Sequence, residues 1–290
     1  MTLFKGSGVA IVTPFKNDGS IDYEVLRDLL EFHVSNQTDA IVITGTTGES
    51  ATLSDEEQLS LIDFTVKTIA GRIPVIAGTG SNNTAHMVHL SVEAEKLGVD
   101  GLLCVTPYYN KTTQEGLYQH FLSVSKEVNV PIILYNVPGR TNINLSAETT
   151  YRLSSLDNVV GLKDASGDMG LALEVRRLCG PDFALYSGND DMIVPLLSLG
   201  GVGVISVVAN ILPKETHDLV MDYLEKGENT LQIKYKALID ALFVEPSPIP
   251  VKAALKLMGY ESQSLRLPLV PATQATRDLL SSEMKKVGML

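Results

Sequence analysis

Lys163 has the sequence setting that most favours covalent chemistry. It lies in residues 159–164, a run that is otherwise apolar except for its last residue, Asp164, and lysine is rarely buried without a reason. Burial disfavours the charged ammonium and lowers the lysine pKa, which leaves a neutral amine that can attack a carbonyl and form a Schiff base. The structural alternative is a strand-end lysine that extends to solvent or pairs with Asp164. From this segment alone, both interpretations stay open.

A short loop of hydroxyls and glycines is the second candidate. Residues 45–50 read Gly-Thr-Thr-Gly-Glu-Ser and place the hydroxyls of Thr46, Thr47 and Ser50 between a predicted strand and a predicted helix. Backbone N–H groups and hydroxyls at such a turn can hold a carboxylate or a phosphate. A tight turn before a capped helix explains the same residues without a ligand. The loop is not a Walker phosphate loop, because no lysine follows Gly48.

Two tyrosines and an arginine lie at or just beyond the ends of neighbouring predicted strands. Tyr109 and Tyr135 carry phenols that could relay a proton or hydrogen-bond a developing charge, and amphipathic aromatic residues at a barrel rim are the structural alternative. Arg140 lies in the rigid turn 138–141, Pro-Gly-Arg-Thr. Its guanidinium could bind a carboxylate through two hydrogen bonds or could simply face solvent.

Short apolar runs rich in β-branched side chains would position these residues. Each run is continuous rather than alternating, which is typical of strands buried on both faces of a parallel sheet. Helical patterns separate the runs, so eight strand–helix units with right-handed crossovers predict a (β/α)8 TIM barrel, with a doubly wound open sheet as the alternative. Active sites of such barrels lie at the carboxyl ends of the strands, where all the candidates above stand. The predicted strands are 9–13, 40–44, 74–78, 101–106, 131–136, 159–164, 184–188 and 202–206.

Helical patterns alone follow Pro213. Earlier in the chain, Ser54 and Glu57 have the spacing of a capping box at the start of the predicted helix 54–70. We predict two regions, a catalytic barrel over residues 1–228 and a C-terminal helical appendage over residues 229–290. The helices predicted after Pro213 are 214–226, which would be the eighth barrel helix, and 230–243, 250–258 and 272–286.

Composition and charge argue against several classes of function. The 290 residues are 44% hydrophobic and 20% charged, as in ordinary soluble domains. Thirty-four acidic and 23 basic side chains give a net charge of −11, which disfavours sequence-independent nucleic-acid binding. No apolar run approaches the roughly 20 residues that span a bilayer, and no signal peptide is evident, so a cytoplasmic protein without membrane partners is expected. Cys104 and Cys179 lack CxxC spacing, and His86 and His89 lack an evident third ligand, so we predict reduced thiols and no metal site.

Five motifs stand in a consistent order along the chain. They are GTTGE at 45–49, PYYNK at 107–111, YNVPGRT at 135–141, GLKDAS at 161–166 and PIPVK at 248–252. Together they resemble the dihydrodipicolinate synthase family, within the wider class of pyruvate-dependent aldolases that includes N-acetylneuraminate lyase. The resemblance runs from Gly6 to near the C-terminus, and it favours the Schiff-base interpretation of Lys163.

The resemblance implies an activity and a proton relay. Lys163 would form an imine with pyruvate, and the derived enamine would attack the aldehyde of L-aspartate 4-semialdehyde. The protein would then be a Schiff-base-forming lyase in the diaminopimelate route of lysine biosynthesis. Tyr135, Thr46 and Tyr109 match the relay residues of the family, with Tyr109 reaching into the site of a neighbouring subunit. A homotetramer, arranged as a dimer of dimers, is the implied assembly.

The resemblance also implies how the substrates are bound. Thr47 would hold the pyruvate carboxylate through the backbone of its loop, and Arg140 would bind the carboxylate of the semialdehyde. Gly188 and Ile205 match positions that line the site through their backbones. No metal or organic cofactor is implied, because the lysine itself serves as the electron sink. These groups would supply a local positive field for anionic substrates in a protein of net charge −11.

A regulatory pocket for L-lysine occurs in inhibited members of the family. Asp55 and Gln58 stand where those members commonly place histidines, and His86 stands where they place a glutamate that grips the amino group of the effector. Losing that anion should weaken binding of a cation, so poor or absent inhibition by L-lysine is expected. The residues that match the pocket are Ser50, Ala51, Asn82 and Tyr108.

Two other functions are compatible with parts of the pattern. A related aldolase acting on a sugar acid, such as N-acetylneuraminate or 2-keto-3-deoxygluconate, would share the lysine and the strand-five tyrosine. Arg140 in its Pro-Gly-Arg turn argues for a short acceptor with its own carboxylate instead. A non-catalytic relative that senses pyruvate or an amino acid would not need the complete set of Lys163, Tyr135, Thr46 and Tyr109.

Overall fold

Eight parallel strands close into a barrel in sequence order in the computed structural model, which describes residues 2–261 and 264–290. The closing pair places Gly8 of the first strand opposite Ile205 of the last. A closed barrel excludes the doubly wound open sheet, so the predicted (β/α)8 fold is confirmed. The strands are β1 Gly6–Ala10, β2 Ala40–Ile43, β3 Val75–Gly78, β4 Gly101–Val105, β5 Ile132–Asn136, β6 Val159–Asp164, β7 Ala184–Ser187 and β8 Gly203–Ser206.

Helices follow the strands and continue into a C-terminal layer. The predicted capping box is confirmed, because the Ser54 side chain accepts from the N–H of Glu57 while the Glu57 carboxylate accepts from the N–H of Ser54. The helices are α1 Tyr23–Ser35, α2 Asp55–Ile69, α3 Thr84–Lys96, α4 Gln114–Ser125, α5 Pro138–Thr141, α6 Ala147–Ser154, α7 Met169–Cys179, α8 Ile193–Ser198, α9 Pro213–Lys226, α10 Thr230–Ala241, α11 Ile249–Leu257 and α12 Gln274–Lys286. Within the described residues, no helix is both long and apolar enough to cross a membrane.

The first strand begins three residues earlier than the sequence predicts. The apolar run 9–13 is buried as expected, but the strand itself covers Gly6–Ala10. Beyond it, the N–H of Val12 donates to Asn210 Oδ1 at 3.1 Å, and the Thr13 hydroxyl donates to Gly48 O at 2.6 Å. Val12 and Thr13 therefore lie beyond the strand ladder and bond to a side chain and a loop near the carboxyl end of the barrel.

The strands are buried on both faces, as their continuous apolar runs predict. Their outer faces pack against the helices, and their inner faces fill the barrel. Phe4 and Tyr186 stack in the interior with ring centroids 4.5 Å apart, and the Tyr186 hydroxyl donates to Phe4 O at 2.7 Å. This pair fills the amino-terminal end of the barrel and leaves space for a cavity at the carboxyl end.

The strand register sets the neighbours of Lys163. Lys163 lies opposite Tyr135 on β5 and opposite Tyr186 on β7. The register between β5 and β6 shifts near the start of both strands: Ile132 pairs with Val159 and Ile133 with Gly161, so Val160 has no partner in this pairing. Because a one-residue slip moves every side chain to the other face, this irregularity decides that Lys163 and Tyr135 share the inner face.

Candidate active site

A cavity of about 270 Å³ opens at the carboxyl end of the barrel. Its wall is formed by residues at or just beyond the ends of the strands, where the active sites of such barrels lie. Its small size and few convergent polar groups suit a small-molecule substrate. The predicted site residues that line it are Thr46, Thr47, Tyr135, Arg140, Lys163 and Gly188.

Lys163 is buried at the floor of this cavity. Its side chain is only 5% exposed, and its Nζ lies 4.3 Å from the centroid of the Tyr135 ring. The Asp164 carboxylate is engaged elsewhere and accepts hydrogen bonds from Asn136 Nδ2 at 3.0 Å and from Ser166 Oγ at 2.8 Å. In the part of the chain that the structure describes, Lys163 therefore neither reaches solvent nor pairs with Asp164.

Burial is the main influence on the protonation of Lys163. Desolvation lowers the pKa of Lys163 from 10.5 to about 8, the Asp190 carboxylate opposes this shift, and the Arg140 guanidinium adds to it. At pH 7 roughly a tenth of such an amine is uncharged, against well under a thousandth for an ordinary lysine. Lys163 can therefore act as a nucleophile near neutral pH.

The turn after β2 presents backbone donors to the cavity. Thr44 and Glu49 bound the turn with φ values of 55° and 57°, a left-handed conformation that costs energy for these residue types. Thr44 is held there by a hydrogen bond from its Oγ1 to Gly78 O at 3.1 Å. Within residues 2–261 and 264–290, the N–H groups of Thr46 and Thr47 donate to no protein acceptor. The turn can therefore receive an anion such as a carboxylate.

Tyr135 and Arg140 approach Lys163 from β5 and the helix that follows it. Burial raises the pKa of the Tyr135 phenol, and the Arg140 guanidinium and the Thr46 side chain oppose this shift. The turn predicted at 138–141 is the one-turn helix α5, with proline at its start. Arg140 projects from α5 at the cavity mouth, where its Nη2 donates to Ser247 O at 3.1 Å. An amine, a phenol, a hydroxyl and a guanidinium thus meet in one cavity.

Gly188, Ile205 and Tyr109 differ in their relation to the cavity. Gly188 lies against the reactive lysine, since a Cβ there would be 3.1 Å from Lys163 Cε and 2.7 Å from the Cβ of Ala165. Ile205 is buried in the barrel interior, and Tyr109 is 94% exposed. Among the described residues that form the cavity wall, neither Ile205 nor Tyr109 is present.

A second cavity, of about 430 Å³, adjoins the first and shares Thr46 and Arg140 with it. Of the residues predicted to form a regulatory pocket, Ser50, Ala51 and Tyr108 line this cavity. Asn82 lies beside it, and its carbonyl accepts from the Asn110 side chain at 2.9 Å. The fold thus brings most of this predicted set together.

Sequence reasoning misses two buried charged residues. Asp190 accepts from the N–H groups of Val207 and Val208 at 3.1 and 2.9 Å, and burial raises the pKa of its carboxyl. Lys252 is completely buried 2.7 Å from Glu49. The motif at 248–252 was the one available signal for Lys252, and nothing local marks Asp190, because its burial depends on the packing of β7, β8 and α10.

Comparison with known proteins extends the likeness over the whole chain. The profile of the Dihydrodipicolinate synthetase family matches residues 3–287. The 4-hydroxy-tetrahydrodipicolinate synthase of Caldicellulosiruptor saccharolyticus is 52% identical over 100% of this chain and 99% of its own length. The crystal structure of the dihydrodipicolinate synthase of Thermotoga maritima matches with a TM-score of 0.97 at 46% identity, covering 100% of both chains. That of the chloride-inhibited enzyme of Acinetobacter baumannii, in complex with pyruvate, matches with a TM-score of 0.97 at 44% identity, again over 100% of both chains. Because this similarity includes both the barrel and the C-terminal helices, the chain is an enzyme of the dihydrodipicolinate synthetase family.

Proposed function

We propose that the protein condenses pyruvate with L-aspartate 4-semialdehyde through a Schiff base on Lys163, as 4-hydroxy-tetrahydrodipicolinate synthase in the diaminopimelate route to lysine. The observation that carries this proposal is the buried Lys163 amine, whose pKa is lowered to about 8, next to Tyr135 in a cavity with free backbone donors. Membership of the family supports the reaction class.

The chemistry begins with attack of the neutral Lys163 amine on the keto carbon of pyruvate. Loss of water gives a protonated imine, which draws electrons from the methyl group and allows a methyl proton to leave, forming an enamine. The enamine carbon bonds to the aldehyde carbon of the semialdehyde, and the aldehyde oxygen takes up a proton. The amino group of this adduct then attacks the imine carbon, which closes the ring and releases Lys163 as a free amine.

Tyr135 is the residue best placed to move these protons. The Lys163 Nζ lies over its ring, and Thr46 lines the same cavity. A phenol can donate to the leaving hydroxyl during imine formation and accept a proton in a later step. Thr46, whose side chain lowers the pKa of this phenol against the effect of burial, is the proposed relay partner in both transfers.

The two substrate carboxylates would be bound at different places, one beside Lys163 and one at the mouth of the cavity. The free amides of Thr46 and Thr47 would hold the carboxylate of pyruvate close to Lys163. Arg140, at the cavity mouth, would bind the carboxylate of the semialdehyde. This local positive charge offsets the net charge of −11, which by itself would repel both substrates.

Tyr109 enters the proposal through a second subunit. Tyr109 is 94% exposed and its φ is 71°, a left-handed conformation that is uncommon for tyrosine, and its exposure supports a contact made in an assembly. In a homotetramer built as a dimer of dimers, Tyr109 would complete the proton relay of a neighbouring site with Thr46 and Tyr135.

Borohydride trapping tests the proposal. The protein is incubated with pyruvate, reduced, digested and mapped by mass spectrometry, and a parallel sample receives L-aspartate 4-semialdehyde before reduction. We expect a pyruvyl adduct on Lys163 that the semialdehyde discharges. Lys163→Met should abolish the adduct, whereas Lys236→Met, which removes an exposed lysine paired with Asp240, should retain it.

Two other results of the trapping experiment would lead to different conclusions. An adduct that the semialdehyde leaves untouched would keep the lysine chemistry and move the acceptor to a sugar-type aldehyde. Absence of any adduct in the wild-type protein would refute the Schiff-base mechanism.

A further inference from the structure

Lys252 and Glu49 form a buried ion pair between α11 and the turn after β2. Lys252 Nζ lies 2.7 Å from Glu49 Oε1, and both side chains are completely removed from solvent. The same ammonium donates to Thr13 O at 2.8 Å and to Ser264 O at 2.6 Å. Because desolvation offsets much of the attraction within such a pair, it contributes little net stability, and in some proteins its benefit is the arrangement that it imposes.

Glu49 is the last residue of the turn that carries Thr46 and Thr47. Its N–H donates to Thr46 O at 3.1 Å, and its carbonyl accepts from both the N–H and the hydroxyl of Thr52. Its φ of 57° is unfavourable for a glutamate. Contacts that hold the Glu49 side chain in place therefore also hold the backbone that bears the two threonines.

Both oxygens of the Glu49 carboxylate are engaged by the C-terminal region. Oε1 accepts from Lys252, and Oε2 accepts from the N–H of Arg266 at 3.1 Å. Thr13 provides a second link, because its hydroxyl donates to Gly48 O at 2.6 Å while its carbonyl accepts from Lys252. Lys252 is thus connected to the turn at two consecutive residues.

Lys252 and Glu49 act on the site without belonging to its wall. Among the described residues that line the cavity at the strand ends, neither is present. We infer that Lys252 and Glu49 are positioning residues, whose ion pair holds the amides and the hydroxyl of residues 46–47 in place for the pyruvate carboxylate and the proton relay. This inference rests on the proposed function, and it makes the C-terminal helical region a part of the catalytic apparatus.

Three variants separate this role from a purely structural one. They are Glu49→Gln, Lys252→Met and the double variant, in which both charges are absent. Val251→Ala is the matched control, because Val251 is the preceding residue of α11 and is fully buried, and its truncation removes core packing without touching Glu49. For each folded variant we would measure the rate of adduct formation on Lys163 with pyruvate and borohydride, the KM for each substrate, and the Tm.

The positioning role predicts a specific pattern. Glu49→Gln and the double variant should form the adduct roughly ten- to a hundred-fold more slowly, the size of effect that a misplacement of about 1 Å can cause. The KM for pyruvate should rise by about tenfold, while the KM for the semialdehyde, which Arg140 binds from α5, should stay within about twofold. The double variant should recover Tm relative to Lys252→Met, because it leaves no unpaired buried charge, yet adduct formation should stay slow.

A purely structural role predicts the opposite. The inference is overturned if folded Glu49→Gln forms the adduct at the wild-type rate, or no more slowly than Val251→Ala. It is equally overturned if the double variant recovers its rate together with its stability. If Lys252→Met does not fold, Glu49→Gln and the double variant still decide the question. A wild-type protein that forms no adduct refutes the proposed function itself, which is a separate outcome.

Discussion

Lys163 illustrates how far the chemistry of a side chain depends on its surroundings. An ordinary lysine is almost entirely protonated at neutral pH, whereas burial lowers the pKa of Lys163 to about 8. Asp190 and Arg140 act on this pKa in opposite directions, because a negative neighbour favours the ammonium and a positive neighbour disfavours it. The two neighbouring charges therefore adjust the pH at which the amine becomes nucleophilic.

Replacing Arg140 by methionine should move the pH dependence of adduct formation to higher pH. Loss of the guanidinium raises the pKa of Lys163, so a given fraction of neutral amine is reached only at a higher pH. The rate should still rise with pH, but its midpoint should move from about 8 towards the ordinary 10.5. Borohydride trapping between about pH 6 and pH 10 measures this midpoint. Arg152→Met, which removes a surface guanidinium stacked on Tyr118, is the control, and equal midpoints in the two variants would contradict the prediction.

At the scale of elements, α2 and α3 begin beside the second cavity and place a carboxylate and an imidazole there. Asp55 is the first residue of α2, and His86 lies in the first turn of α3. His86 Nε2 lies 2.8 Å from Asp55 Oδ1, and its Nδ1 lies 3.1 Å from Ser81 Oγ. The Asp55 carboxylate is thus already engaged by His86, although both residues line the cavity.

L-Lysine is therefore expected to inhibit the enzyme poorly or not at all. Its cationic amino group would meet a histidine and an engaged carboxylate instead of a free anion. Initial rates measured against increasing L-lysine test this, and half-inhibition at low millimolar concentration or below would contradict it. His86→Glu should strengthen inhibition because it adds an anion to the cavity, while His89→Glu, on the exposed side of α3, should not.

At the scale of the whole molecule, the barrel and the C-terminal helices share one apolar core. Leu238, Val251 and Leu280, from α10, α11 and α12, are buried in the same cluster as the outer faces of the strands. A polar contact crosses the same boundary, since Gln232 Nε2 donates to Asp190 O at 2.9 Å. The regions predicted over 1–228 and 229–290 therefore meet in contacts on which both depend.

The fragment 1–228 is expected to lose both cooperative unfolding and adduct formation. Removing residues 229–290 exposes the apolar surface that α10, α11 and α12 cover, and it leaves the buried Glu49 carboxylate without Lys252. Urea unfolding followed by circular dichroism, with the full-length protein in parallel, measures the first effect. A fragment that unfolds in one transition and forms the pyruvyl adduct at the wild-type rate would instead make residues 229–290 an independent appendage.

Local sequence was sufficient to predict the barrel and most of its elements. Strands buried on both faces must be apolar throughout, so they stand out as continuous runs between helical patterns. The start of α2 could also be predicted, because the capping box at Ser54 involves residues only three apart in the sequence. The start of β1 could not be predicted, because Gly6 joins the strand ladder through β8, and its N–H donates at 3.1 Å to the O of Val202, which is distant in the sequence.

The features of the candidate site also divide into those that the sequence indicates and those that depend on tertiary contacts. Residue type and position at a strand end were enough to make Lys163, Tyr135, Arg140 and the loop at 45–50 candidates, and the resemblance to the family favoured their chemical roles. Only the tertiary structure decided how strongly desolvation lowers the pKa of Lys163, or that Lys252 and Glu49 form an ion pair across 203 residues of sequence. The physical reason is that backbone preference and apolar periodicity are local properties, whereas desolvation and ion pairing arise only when the closed barrel brings distant segments together.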